Sequence, residues 1–198
     1  MAIVIEHEKR KREILNKSLD IFIEEGFEDV TFQKIADRCG ITRTTLYLYF
    51  RDKREIFTDS IRQLTSLIES RLKKIIRDVS LSATEKLHAT MNEILDAFME
   101  NRKLFTVLLN YLIQLQKAGK DAGERVRRRI IRLRHILSNL INEGIASGEF
   151  RPVNVHDADE MLYGLLESAI FRLSVLNQQN LSEIRSAINQ AVTCLGVT

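Results

Sequence analysis

Proline occurs once in these 198 residues, glycine eight times and tryptophan not at all. So few proline and glycine residues leave little room for turns, which points to long helices. Two cysteines, Cys39 and Cys194, are too few for a disulfide framework. Both are read as small buried side chains in a reducing compartment. No apolar run approaches the roughly 20 residues that a membrane span requires. The start, MAIVIEHEKRKR, places its apolar residues before its charges and has no small-residue cleavage site, so it is not read as a signal peptide. The chain is therefore expected in the cytoplasm, with no membrane partner. A net charge of +3 is too small for a protein that coats nucleic acid by charge alone. A phosphate-binding loop, a nucleotide glycine motif, a nucleophile elbow and HExxH are all missing. The group His156, Asp157, Asp159 and Glu160 has no further ligands at fixed spacing, and acids suit the first turn of a helix. No enzyme activity, metal or cofactor is expected.

What the chain does have is 44% hydrophobic and 29% charged residues, a globular balance. Its most informative stretch is Thr31 to Lys53, TFQKIADRCGITRTTLYLYFRDK. Thr31 is placed to cap a short helix in which Phe32, Ile35, Ala36 and Cys39 recur at helical spacing. Gly40 follows where such a helix stops, Ile41 plugs the turn, and Thr42 caps a second helix. Leu46 and Phe50 of that second helix point inward, while Arg43, Thr44, Tyr47 and Leu48 face out. Helix, glycine turn, capped helix is the helix-turn-helix arrangement, with the second helix as the DNA reader.

The run GITRTTLYLYFRDK, after a first helix ending in EEGFEDVT, resembles the signature of the TetR family of transcriptional regulators. The resemblance covers about 45 N-terminal residues and implies DNA contacts at matching positions. Arg43, Thr44 and Tyr47 match positions that face bases. Thr45, Tyr49 and Lys53 match phosphate-holding positions, and Gln33 matches one at the groove edge, with Thr31 and Thr42 grouped beside them. Thr44 and Leu48 depart from the commonest pattern, which bears on the bases read.

Around the motif, Ile14, Leu15, Leu19, Phe22 and Ile23 form one stripe, preceded by the basic run Lys9 to Arg12. That run is either a frayed solvated arm or an arm that reaches DNA. Acids at Glu24, Glu25, Glu28 and Asp29, and bases including Lys34, Arg38 and Arg43, predict a unit with one acidic and one basic side. A long helix from about Asp52 to Val79 follows, with Phe57, Ile61, Leu64, Ile68, Leu72, Ile75 and Val79 in one stripe. Leu104 to Gln116 is apolar on nearly every side and is expected to be buried all round. Arginines crowd the start of a later helix, from Arg125 to Arg134. They make either a solvated face, paired with nearby acids, or a site for an anionic group such as the phosphate of an acyl thioester.

The expected fold is all-α with about nine helices. Residues 1–54 form a three-helix DNA-binding domain, and residues 55–198 a helical domain for ligand binding and dimerisation. Expected partners are a double-stranded DNA operator, a second copy of the chain, and a small apolar effector of unknown identity. Met91, Phe98, Phe105, Tyr111, Met161 and Phe171 are candidates for an effector pocket, with Asn110, Gln114 or His135 as polar anchors. The same side chains equally make an ordinary core. Leu162, Gly164, Leu165, Ser168, Ala169, Leu173, Ile184, Ala187, Ile188 and Ala191 are candidates for the dimer contact. The function expected is ligand-responsive regulation of transcription, most often repression. Two rivals remain open: a DNA-binding protein that acts through a protein partner without a ligand, and a helical interaction protein with a vestigial reader.

Overall fold

The computed structural model describes residues 2–119 and 123–197, with the side chains of 2–5 and 123–126 outside that description. Nine α-helices appear among the described residues: α1 (Ala2–Glu25), α2 (Phe32–Cys39), α3 (Arg43–Tyr47), α4 (Lys53–Arg77), α5 (Ala83–Glu100), α6 (Arg102–Lys117), α7 (Gly123–Ser147), α8 (Val155–Ser174) and α9 (Ser182–Thr193). They make two compact units, Met1–Leu67 and Ile68–Thr198.

The first unit is built on a stripe from each of its four helices. Ile14, Leu15 and Phe22 of α1, Ile35, Ala36 and Cys39 of α2, Leu46 of α3, and Ile56, Phe57 and Ile61 of α4 are all buried. Each such aliphatic or aromatic side chain contributes roughly 1.5–3 kcal/mol by leaving water. Phe22, Phe27 and Phe57 meet as a ring cluster, with Phe22 and Phe57 edge to face at 4.9 Å and Phe27 5.1 Å from Phe57. Ile56, Phe57 and Ile61 explain why this unit runs on to Leu67 instead of stopping at residue 54: the first turns of α4 complete its core. Two hydroxyls inside the stripe are satisfied by backbone. Ser18 donates to the Ile14 carbonyl at 2.6 Å, and Ser60 donates to the Leu15 carbonyl at 3.0 Å.

Three expectations change here. Lys9 to Arg12 lies within α1 and is not a frayed arm. Lys34 and Arg38 are not on a free basic side, because Lys34 pairs with Glu25 and Arg38 with Glu24. Cys39 is buried as expected, and burial pushes its thiol up. Cys194 is exposed.

In the second unit, α5, α7, α8 and α9 pack around Leu87, Met91, Leu95, Leu137, Ile141, Leu162, Leu166, Ala169 and Ile188. The break before α5 is fixed by a capping box: the Ser82 hydroxyl accepts from Glu85 N–H, and the Glu85 carboxylate accepts from Ser82 N–H. α6 departs from the expected all-round burial. It packs on α8 and less on α5, so of its described residues only Leu104 and Tyr111 are buried, and Ile113 is exposed.

Glu149 adds a second clamp on the start of α5. Its carboxylate accepts from Ala83 N–H at 3.0 Å, from Thr84 N–H at 2.9 Å and from the Thr84 hydroxyl at 2.8 Å. The Thr84 backbone bond is the largest of the effects that hold this carboxyl down at about 2. A depressed folded-state pKa stabilises the fold above the unfolded value and loses that contribution as pH falls through the folded one. Glu149→Gln should therefore flatten the loss of stability between about pH 4.5 and pH 2, read from urea midpoints. The contribution expected is roughly 1 kcal/mol, since the carboxylate is only half-buried and solvent still screens it. Equal pH dependence in the variant and the parent would refute it.

Candidate nucleic-acid interface

α3 is short, five residues, and its ends are fixed chemically. The Thr42 hydroxyl accepts from Thr45 N–H at 3.1 Å and lies 2.8 Å from the Thr45 hydroxyl. Thr31 caps α2 in the same way, accepting from Lys34 N–H at 3.2 Å. Between the two helices Gly40 sits at φ 68°, ψ 37°, and its N–H bonds back to α2. A side chain there would meet the backbone strain of the left-handed region, so glycine sets the angle of the turn. Leu46 and Phe50 are buried behind α3 and fix which side faces out.

The outer side carries Arg43, Thr44, Tyr47 and Leu48, all exposed. Arg43 Nη2 donates to the Tyr47 hydroxyl at 3.1 Å, and the guanidinium lies 5.6 Å from the Tyr47 ring centre. The Phe32 ring supports Tyr47 from α2, at 4.5 Å between centroids. The guanidinium is thus held outward on a short stack of rings. Its i,i+4 spacing to Tyr47 is the sequence signal for this pairing. The contact of His7 with Tyr49, rings stacked at 4.5 Å, has no such signal. It exists because α1 reaches past the motif.

Gln33 is exposed and donates to Asp37 at 2.8 Å. Lys53 departs most from its expected use. Its ammonium donates to the carbonyls of Phe27 at 2.9 Å, Glu28 at 2.9 Å and Val30 at 3.0 Å. It also lies 4.7 Å from the centre of the Phe27 ring. An ammonium has three N–H donors, so all are engaged in fastening the start of α4 to the α1–α2 turn.

Among the pocket candidates, Met91, Phe98 and Tyr111 are buried, and Phe105 is half-buried with its ring edge-on to Phe98 at 4.9 Å. Asn110, Gln114, His135, Met161 and Phe171 are exposed on the chain's surface. Of the arginines on α7, Arg134 is committed to Asp159 at 2.7 Å and Glu160 at 2.6 Å, and Arg132 reaches Glu69 at 3.5 Å. Pairing with nearby acids describes these two. Asp159 and Glu160 of the His156 grouping are thus both partners of Arg134.

The dimer candidates divide. Leu162, Ala169, Leu173, Ile184 and Ile188 are buried in their own chain and have almost no surface left for a partner. Gly164, Leu165, Ser168, Ala187 and Ala191 are exposed or half-buried. Size does not decide the side: on α8 small Ala169 is buried, while Met161 and Phe171 are exposed.

A capped, outward-facing reading helix, set by a glycine turn and backed by its own small core, defines a helix-turn-helix DNA-binding protein. Residues 14–59 match the family model described as bacterial regulatory proteins, tetR family, and residues 80–170 that of the tetracyclin repressor-like C-terminal domain. The chain belongs to the TetR family and is a DNA-binding transcriptional regulator. It is similar to the fatty acid metabolism regulator protein of Bacillus subtilis, 23% identical over 167 residues that cover 82% of this chain and 84% of the relative. Its fold is similar to that of a TetR regulator from Haloarcula marismortui, with a TM-score of 0.84 at 22% identity over 96% of this chain and all of the other. It also resembles the Bacillus subtilis regulator FadR in complex with stearoyl-CoA, with a TM-score of 0.66 at 22% identity over 93% of this chain and 97% of that one.

Proposed function

We propose that this regulator is a repressor that binds a pseudo-palindromic operator as a homodimer and releases it when a bulky, mostly apolar effector binds. The observation that carries the DNA reading is the outward Arg43–Tyr47 pair on a capped helix whose other side is buried. Arg43 donates two parallel bonds to a guanine edge, and Thr44 and Tyr47 complete the base contacts. Thr31, Gln33, Thr42, Thr45 and Tyr49 flank it and hold phosphates or the groove edge without reading sequence. Lys53 serves this interface from its carbonyl cradle, by holding the first turn of α4.

One five-residue reader meets too few bases for useful specificity, which is why a two-fold pair is expected. Gly164, Leu165, Ser168, Ala187 and Ala191 suit the contact between copies, and exposed Met161 and Phe171 extend it along α8. For the effector, likeness to a fatty acid regulator and to a stearoyl-CoA complex supports an acyl thioester. The half-buried apolar surface of α6, with Phe105 beside Phe98, supports a place for its chain.

Selection of binding sites from random DNA tests the reading. The parent protein should yield a two-fold sequence with guanine at one position of each half-site. Arg43→Ala should lose preference at that position, a loss of about 1–3 kcal/mol of discrimination. Its thermal unfolding should be unchanged, because Arg43 is exposed. Stearoyl-CoA added to the parent complex should lower operator affinity, and operator should lower stearoyl-CoA affinity by the same factor. Unchanged base preference in Arg43→Ala would sink the base-reading assignment, and operator affinity indifferent to the thioester would sink the effector.

A further inference from the structure

The outer side of α3 is divided lengthwise, and of its four outward residues Leu48 alone has no role in the DNA contacts proposed above. At about 100° per residue, Tyr47 lies roughly 40° round the helix from Arg43, Thr44 roughly 100° and Leu48 roughly 140°. Arg43 and Tyr47 therefore form a polar row, joined by their 3.1 Å hydrogen bond. Thr44 and Leu48, also four residues apart, form a second row, in which Leu48 ends in two methyl groups and Thr44 carries one beside its hydroxyl. Leu48 closes α3 with helical backbone, φ −68° and ψ −20°, and its N–H bonds back to Leu46 and Thr45, so its side chain continues the row. It is 74% exposed.

Single exposed leucines are ordinary and need no explanation. This one differs by its place. It adjoins Tyr47, 50% exposed, on the side of the reader that enters the groove. There its apolar surface is covered only when DNA is bound. The major groove offers one apolar group to such a side chain, the C5 methyl of thymine.

Resting on the reading of α3 as the base-contacting helix, we propose that Thr44 and Leu48 form a thymine-methyl-reading row beside the guanine-reading Arg43–Tyr47 pair. Leu48 is a specificity-determining residue, and each half-site carries thymine next to the position read by Arg43. The contact excludes water from two apolar surfaces and needs no hydrogen bond, so it discriminates by a methyl group alone.

The test uses the full chain and the operator selected by it. Thymines of one half-site are replaced singly by uracil, which removes the methyl and keeps every hydrogen-bonding group. With the parent protein, one or two of these changes should weaken binding about fourfold each, the value of one buried methyl. With Leu48→Ala the loss at the thymine that Leu48 covers should disappear, while a loss at a thymine covered by Thr44 remains and thermal unfolding stays where it was. A flat uracil scan in the parent, or losses equally large in Leu48→Ala, would overturn the proposal and leave the DNA-reading assignment standing. Absence of binding to any selected DNA would instead overturn that assignment, and this proposal with it.

Discussion

Replacing Gly164 by arginine should leave a well-folded chain that is monomeric and has lost most of its operator affinity. A Cβ built at Gly164 meets nothing within 4 Å, and the residue is exposed in the interior of α8. The chain's own fold therefore accommodates a long side chain there, and helix propensity improves when glycine is removed. A partner helix packing at Gly164 and Ser168 would not tolerate it. The guanidinium would have to be buried without a counter-charge or hold the two helices apart. Binding two half-sites from separate monomers forfeits the effective concentration that linkage gives, a loss of about 100-fold or more. Sedimentation velocity, thermal unfolding and operator titration on one preparation decide it. A variant that remains dimeric would remove α8 from the interface, and a variant that unfolds would contradict the open surface at Gly164. Ala169→Arg is not an equivalent test, because Ala169 is fully buried in its own chain and would fail by unfolding.

Gly144→Ala should have the opposite character, a loss of stability with no direct effect on DNA contacts. Here a Cβ would come within 2.1 Å of Phe150 Cδ2 and 2.4 Å of Cε2. The Phe150 ring is buried in the second unit's core, and its N–H donates to the Gly144 carbonyl at 2.9 Å. Neither partner has room to withdraw, so the added methyl forces strain of about 1–3 kcal/mol or more. This must exceed the gain of about 1 kcal/mol from replacing glycine inside a helix. Urea unfolding should show the net loss. Adding Phe150→Ala should make the alanine at 144 cost no further stability, since every ring atom it meets, Cγ, Cδ2 and Cε2, is gone. A more stable Gly144→Ala protein would mean that propensity, not contact, governs the site.

Much of the molecule is legible from local pattern. The stripe of α1, that of α4 as far as Leu72, and the caps at Thr31, Thr42 and Ser82 are set by residues three or four apart, whereas Val79, expected to end the α4 stripe, lies beyond the helix end at Arg77 and is exposed. The same holds for Gly40 and for the outward set Arg43, Thr44, Tyr47 and Leu48. A glycine turn followed by a threonine cap fixes backbone direction without help from distant chain, so the reader follows from the sequence by itself.

Other features join residues that local spacing cannot relate. Glu149 reaches the start of α5, Lys53 reaches three carbonyls of the α1–α2 turn, and Glu24 and Glu25 neutralise Arg38 and Lys34. A charge pattern shows that such groups exist, but partners are chosen only when helices are packed. The same reason divides the dimer candidates. α8 has apolar or small residues on two sides, and hydrophobic periodicity identifies both without ranking them. Packing against α5, α7 and α9 took Leu162, Ala169 and Leu173 inward because they lie on the side those helices cover, and not because of size, since Met161 and Phe171 of the same helix are exposed. It left Gly164, Leu165 and Ser168 facing out.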